Sequence, residues 1–331
     1  MKFMIAGLGS IGRRHLRNLT ALGEKDIMLY RSGMSTLPDD ELKGYVTETD
    51  LDSALAHEPK AVIVSNPTAL HLDVAIPAAA AGCHLLLEKP ISHNMDRIDE
   101  FEVAVEEGGG KVLVGYQFRF HPGLQMVKRW LEEERIGKPI SAHAHWGEYL
   151  PGWHPWEDYR ASYSARSDLG GGVVLTLCHP FDYLRWLMGE VVSVSGWTGQ
   201  AGELALDVDD IAEAILEFDS GVVGHVHLDY IQRPPTHRLE IVGTKGTIRW
   251  DSANGHARIY QSAEGKWESS SLPDGIDRNT LFMTEMEHFI DVASGKVEPV
   301  CPLDDGVRTL QVALAVLSSE RGDSKYFIEN R

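Results

Sequence analysis

The sequence predicts two folding units in series. The first is an α/β domain on a parallel, doubly wound sheet. The second is an α+β domain with a large, mostly antiparallel sheet. Three observations carry this. The chain has 331 residues, room for about two domains at roughly 150 residues each. Its first 120 residues alternate short apolar runs with amphipathic stretches, the pattern of βαβ units. After Pro122 that alternation gives way to strands punctuated by glycine turns. The domains are therefore expected at residues 1–120 and 121–331.

In the first domain, segments 3–6, 27–30, 61–65, 84–87 and 112–116 read as strands. They are continuously apolar, as strands buried on both faces are. Helices are expected between them at 11–22, 51–57, 70–81 and 95–107, stopped by Gly23, Gly82 and the glycines at 108–110. In the second, helices are expected at 123–133 and 180–188, flanking an extended stretch (139–149) and an irregular aromatic segment. Strands follow at 211–218, 222–230, 238–242 and 247–250, with Gly221 and Gly246 as hairpin punctuation. Helices at 278–294 and 304–319 close the chain, so the second sheet is expected to carry its helices on one face.

Composition narrows the function. Lys plus Arg number 31 against 49 Asp plus Glu, a formal charge of −18. A chain this acidic, with no basic run, repels nucleic acid and anionic lipid, so neither is an expected partner. Cys83, Cys178 and Cys301 lie far apart without CxxC spacing, which excludes a disulfide scaffold or zinc ribbon and suits a reducing cytosol. No apolar run approaches the ~20 residues of a membrane span. The N-terminus enters a strand at once and has no A-x-A cleavage site. A soluble, cytoplasmic protein is expected.

Gly7-Leu8-Gly9-Ser10-Ile11-Gly12 is a GxGxxG between an expected strand and an expected helix, the context of a Rossmann dinucleotide site. Gly7 permits the tight turn, Gly9 clears the approach of a pyrophosphate, and Gly12 lets helix and strand pack. The helix start supplies N–H donors from Ser10 and Ile11 onward. The second strand ends Tyr30-Arg31-Ser32, with no acid before Asp39. An acid there would suit the ribose 2′-hydroxyl of NAD; Arg31 offers a fork, and Ser32 a donor, for the 2′-phosphate of NADP. NADP is therefore favoured over NAD.

Glu88-Lys89-Pro90 follows directly on the strand 84–87, at the carboxyl end where open α/β sheets bind ligands. A lysine there can hydrogen-bond a substrate hydroxyl during proton transfer. Together with the GxGxxG, Ser65-Asn66-Pro67 and His71, and Gly170-Gly171-Gly172 leading to His179 and Asp182, this chain resembles the Gfo/Idh/MocA oxidoreductase family over nearly its whole length. The resemblance implies hydride exchange between NAD(P) and a carbinol of a sugar, inositol or related compound. It implies Lys89 and His179 as acid/base pair, and Asn66, Pro67, His71, Glu88 and Gln117 along the cofactor with Ser65. It also implies a homodimer or homotetramer through the open face of the second sheet.

Pro180 suits the first position of a helix, which makes His179 the expected N-cap. The positive dipole end there keeps the imidazole neutral, as a base requires. Asp182, at N3, is expected to face the free N–H groups or to touch the imidazole, as a third catalytic group. The family often carries an aspartate one turn before the histidine, where Thr176 stands here. A hydroxyl orients substrate but accepts no proton at neutral pH. On the substrate side, Trp156, Tyr159 and Arg160 offer aromatic faces for a sugar and a fork for an anion. His143 and His145 alternate on one strand face, but no third ligand lies at useful spacing, so no metal is expected. Two other functions fit the same fold: a redox-assisted lyase or glycosidase that retains its NAD(P), and a non-catalytic ligand sensor.

Overall fold

The computed structural model describes residues 1–33, 37–155, 157–270, 277–319 and 325–328. The chain forms two compact units, Met1–Gln117 with Asp277–Val307 and Phe118–Ile276 with Arg308–Arg331.

The first unit holds strands β1 (Phe3–Ala6), β2 (Ile27–Tyr30), β3 (Val46–Glu48), β4 (Ala61–Val64), β5 (His84–Leu87) and β6 (Val112–Val114). All pair in parallel, in the order β3-β2-β1-β4-β5-β6. Helices α1 (Ser10–Ala21), α2 (Leu51–Leu55), α3 (His71–Ala80) and α4 (Ile98–Gly108) connect them. Every residue of β1 and β4 is buried, which is why the sequence reads there as unbroken apolar runs. The strand order reverses between β1 and β4, so the loops after these two strands meet at the switch point of the sheet. β3 was not expected. Its Val-Thr-Glu is largely exposed and is defined by its backbone pairing with β2 alone.

The chain then returns to this unit. Helix α8 (Arg278–Ala293), following three further helices of the second unit, packs on α1. The Asn279 amide donates to Asn18 at 3.1 Å, and the Arg14 guanidinium lies 4.5 Å from the Phe282 ring centroid. Cys301 O accepts from the N–H of Val114 on β6 at 2.9 Å. A single boundary at residue 120 assigns this segment to the second domain; its contacts assign 277–307 to the first.

The second unit's strands are β7 (Pro139–Gly147), β8 (Val191–Gly199), β9 (Ile211–Phe218), β10 (Val223–Asp229), β11 (Thr236–Gly243), β12 (Gly246–Asp251), β13 (Ala257–Gln261), β14 (Lys266–Ser269) and β15 (Tyr326–Phe327). Their order is β14-β13-β12-β11-β7-β10-β9-β8-β15, antiparallel except for the parallel pair β7·β10. Helices α5 (Pro122–Glu132), α6 (Val173–Thr176) and α7 (His179–Met188) pack on one face. Ala142, Ala144 and Trp146 of β7, with Val226 and Leu228 of β10, are buried on that face. The alternate residues of the same strands (His143, His145, His225 and His227) point the other way and are exposed or half-buried. Among the described residues, no helix is long and apolar enough to cross a membrane.

Candidate active site

The turn after β1 is held by close packing on two of its glycines and left open at the third. Gly7 has φ +89°, and a Cβ there would lie 2.4 Å from Asn66 N. A Cβ on Gly12 would lie 1.9 Å from Gly7 O, whereas one on Gly9 would meet nothing within 4 Å. Ser65, expected along the cofactor, braces this turn: its Oγ lies 3.0 Å from the carbonyl oxygens of both Ala6 and Gly7. Gly9 is the N-cap of α1, which has no side-chain cap and no acid in its first turn. Its positive end is thus left for an external anion. The residues present fit a dinucleotide pyrophosphate.

At the end of β2, Arg31 Nη1 pairs with Asp39 Oδ1 at 2.7 Å, while Ser32 is exposed. Beyond β4, Asn66 Nδ2 donates to Leu70 O at 2.7 Å, and Pro67 caps the turn Thr68–Leu70. His71 bridges the carbonyls of Asn66 and Pro90 at 3.0 and 2.9 Å, tying this loop to the one after β5. Burial pushes the His71 imidazole down to about 4, so it is neutral at pH 7 and donates to one carbonyl at a time.

Lys89 is half-buried, and the Lys89–Pro90 peptide is cis. Glu88 Oε1 lies 2.7 Å from His15 Nε2. Burial pushes the Glu88 carboxyl up, but the His15 hydrogen bond and the nearby positive charges, Lys89 among them, outweigh it, leaving it below the ordinary value. Glu285 of α8 is fully buried, and that burial, reinforced by the Glu88 charge, raises it well above the carboxylate range. Glu88 and Glu285 thus oppose each other's ionisation, and the surroundings favour the charge on Glu88. His15 and Glu285 escaped the sequence reading. His15 lies on the same helix as Gly12, but nothing in spacing pairs it with residue 88. Gln117 is buried at the start of a 3-10 turn, Gln117–Phe120.

In the second unit, His179 is the first helical residue of α7 and Cys178 is the N-cap, with Pro180 inside the first turn. This corrects the expected N-cap. The chain leaves α6 by a single residue, Leu177, and Cys178 is already in the right-handed helical region. His179 is 1% exposed, with the Phe118 ring edge-on at 4.9 Å and Trp146 tilted at 5.5 Å. His237 and Trp250 extend the same aromatic wall around Phe118.

Asp182, expected to face the free N–H groups of its helix or to touch the imidazole, accepts from Arg119 Nη2 at 2.7 Å and Nε at 3.1 Å, both side chains being buried. A buried carboxylate without a cation is costly, and the guanidinium supplies one. Replacing Asp182 with Asn strands the Arg119 charge and is expected to cost about 3 kcal/mol in denaturant unfolding. The double variant Arg119→Met/Asp182→Leu is expected to recover most of that loss.

Thr176 is buried at the end of α6. Asp209, missed in the sequence, supplies a carboxylate to this region: its Oδ2 accepts from Val174 N at 2.9 Å, and burial raises it to about 6. Tyr230 is fully buried and pushed well above its usual range by that burial, with the hydrogen bond from Thr176 opposing and the charges of Asp209 and Tyr163 adding to the rise.

Arg160 is exposed and pairs with Asp158 at 2.7 Å, and the Tyr159 hydroxyl accepts from Ala205 N at 3.2 Å. Trp156 lies outside the described residues. His143 and His145, with no third ligand at useful spacing along the chain, gain neighbours across the sheet. The β7·β10 register sets His225 beside His143 and His227 beside His145, with Asp229 at the end of β10. Partners joined by strand pairing are invisible to spacing along the chain.

An uncapped helix behind a glycine turn, at the reversal of a parallel sheet, is the setting of a dinucleotide site. Residues 1–116 match the oxidoreductase family with NAD-binding Rossmann fold, and residues 124–249 match the GFO/IDH/MocA C-terminal domain. The chain belongs to the Gfo/Idh/MocA oxidoreductase family. It is similar to the scyllo-inositol 2-dehydrogenase (NAD(+)) of Bacillus subtilis (strain 168), 28% identical over 340 residues, covering 96% of this chain and 93% of that one. It is 29% identical over 250 residues to the 2,7-anhydro-N-acetylneuraminate hydratase of Mediterraneibacter gnavus, covering 72% of this chain and 65% of the relative. A solved levoglucosan dehydrogenase in complex with NADH and levoglucosan shares its fold, with a TM-score of 0.88 at 19% identity over 100% of both chains.

Proposed function

We propose that this chain is a dehydrogenase or reductase for a secondary alcohol or ketone of a sugar, inositol or related polyol, using NADP(H) in preference to NAD(H). What carries the reading is the turn after β1, open at Gly9 while Gly7 and Gly12 are packed against backbone. The substrates named for the inositol and levoglucosan dehydrogenases support the polyol class.

Ser10, Ile11 and the backbone of the first turn of α1 would hold the pyrophosphate, with Asn66, Pro67, His71, Glu88 and Gln117 along the rest of the dinucleotide. When bound, the nicotinamide supplies the hydride acceptor or donor. His179 takes the proton from the substrate hydroxyl, and Lys89 hydrogen-bonds the same oxygen and stabilises its developing charge. Arg119 and Asp182 position the first turn of α7, and Asp182 acts through that pairing. Thr176, Tyr159, Arg160 and Trp156 are assigned to substrate orientation. The location is proposed as the cytoplasm, where Cys83, Cys178 and Cys301, all free thiols, stay reduced. Self-association is proposed through the outward face of the second sheet, where Ile215 and Val223 are exposed.

The preference for NADP(H) turns on Arg31. Its pair with Asp39 is solvent-exposed on the acidic side, and such pairs are worth about 0–1 kcal/mol. A 2′-phosphate, with more charge and a bidentate fit, displaces Asp39 from the guanidinium. Titration of cofactor-free protein, read by nicotinamide fluorescence, is expected to give tighter binding of NADPH than NADH. Arg31→Ala is expected to weaken NADPH by about tenfold or more and to leave NADH nearly unchanged. Equal binding of the two cofactors by the unmodified chain would remove the preference and leave the enzyme class standing. A redox-neutral reaction with retained cofactor is the second reading, favoured by the hydratase relative. It predicts substrate conversion without net change in nicotinamide absorbance.

A further inference from the structure

We propose that the outward face of the second unit's sheet carries a site for a divalent transition metal of the zinc type, with His145, His227 and Asp229 as protein ligands. One ligand atom from each of the three lies within 4.8 Å of the others. Two imidazoles and a carboxylate form a donor set suited to zinc or cobalt(II). The strands bring the set together: β7 and β10 run parallel with His145 opposite His227, and Asp229 follows on the same face of β10.

The groups around the ligands are arranged as outer partners of a metal site usually are. Glu213 Oε1, on β9 directly across from His227, lies 2.6 Å from His227 Nδ1. Asp229 Oδ1 accepts from the backbone N–H of Ile231 and Gln232 at 2.8 and 2.6 Å, which leaves Oδ2 toward the histidine. Gln232 Oε1 holds His145 at Nε2, 2.6 Å away, and its own amide donates to Thr236 Oγ1 at 2.6 Å.

Two further distances fit an ion among these ligands. His227 Nε2 lies 3.0 Å from Asp229 Oδ2, and the His145 ring centroid lies 4.4 Å from that of His227. Gly147 is the next outward position on β7 after His145. A Cβ there would lie 2.1 Å from Asp229 Oδ2 and 2.4 Å from Gln232 Oε1, so the strand is without a side chain where one would fill the cluster. Arg238, opposite His145 on β11, is exposed and is the nearby positive charge that the two carboxylates must outweigh.

The test uses the full chain, stripped with chelator and titrated with Co²⁺ by electronic absorption and with Zn²⁺ by calorimetry. One equivalent per chain, retained through dialysis and giving the visible bands of nitrogen- and oxygen-ligated cobalt, is the expected result. His227→Gln and Asp229→Asn are each expected to weaken it by at least about tenfold. The asparagine keeps an acceptor for the N–H groups of Ile231 and Gln232, and His227→Gln gives an independent variant should that one fail to fold. His143→Ala, altering an outward histidine on the same strand, is expected to leave binding unchanged. Failure to retain an equivalent overturns the site, as does loss in His143→Ala equal to that in His227→Gln, the signature of diffuse binding to surface histidines. Because the readout is metal binding, it stands apart from the fate of the dehydrogenase reading.

Discussion

His179→Asn and Lys89→Met are each expected to lower kcat by about 10²–10⁴-fold, the range for removing a positioned acid or base. With His179→Asn, cofactor titration is expected to stay within about twofold of the parent chain, because His179 belongs to the unit that lacks the GxGxxG turn. The asparagine is chosen over alanine since His179 stands against Phe118 and Trp146, and an emptied site there would add a cavity cost to a catalytic one. Unfolding by denaturant separates the two: a fall in kcat with stability nearly unchanged assigns the loss to chemistry. The pH profile supplies a second check. If the imidazole is the base, kcat/KM in the oxidative direction rises with pH through its titration, and that limb vanishes in His179→Asn. Loss of less than tenfold in either variant removes that residue from the acid/base role.

The chain's legibility followed the kind of interaction that fixed each feature. β1, β2 and β5 have the bounds expected from sequence, because a strand buried on both faces leaves an uninterrupted apolar record. β3 left none, being held by backbone hydrogen bonds to β2 with its side chains in solvent. Gly7, Gly9 and Gly12 could be read with their reasons, since the motif is local. The side-chain partners could not. His15 with Glu88, Arg119 with Asp182, and His145 with His227 are each joined across tens of residues by tertiary packing or strand register. The return of α8 to the first unit is of the same kind: its own sequence specifies an amphipathic helix with an Asp277 cap, and only its contacts with α1 say where it docks.

The three glycines of the turn after β1 are expected to separate folding from cofactor binding. In Gly7→Ala the residue keeps φ +89° at a cost of about 1–2 kcal/mol, and its Cβ stands 2.4 Å from Asn66 N, where only backbone can yield. Overpacking of that kind adds about 1–3 kcal/mol or more. Gly12→Ala drives a Cβ to 1.9 Å from Gly7 O, with Ser65 Oγ at 2.7 Å, so α1 must move off β1 or the turn must open. Both variants are expected to fall by about 3–5 kcal/mol in denaturant unfolding, near the whole stability of many domains. Gly9→Ala meets nothing within 4 Å, so its stability cost is confined to a poorer N-cap, about 1 kcal/mol or less. Yet its methyl occupies the approach to the N–H groups of α1. NAD(P)H affinity is expected to fall by about 10- to 100-fold, a clash of roughly 1–3 kcal/mol borne by the complex alone. A Gly9→Ala protein that folds and binds cofactor like the parent chain would show that the dinucleotide does not lie against this turn, whatever the family resemblance.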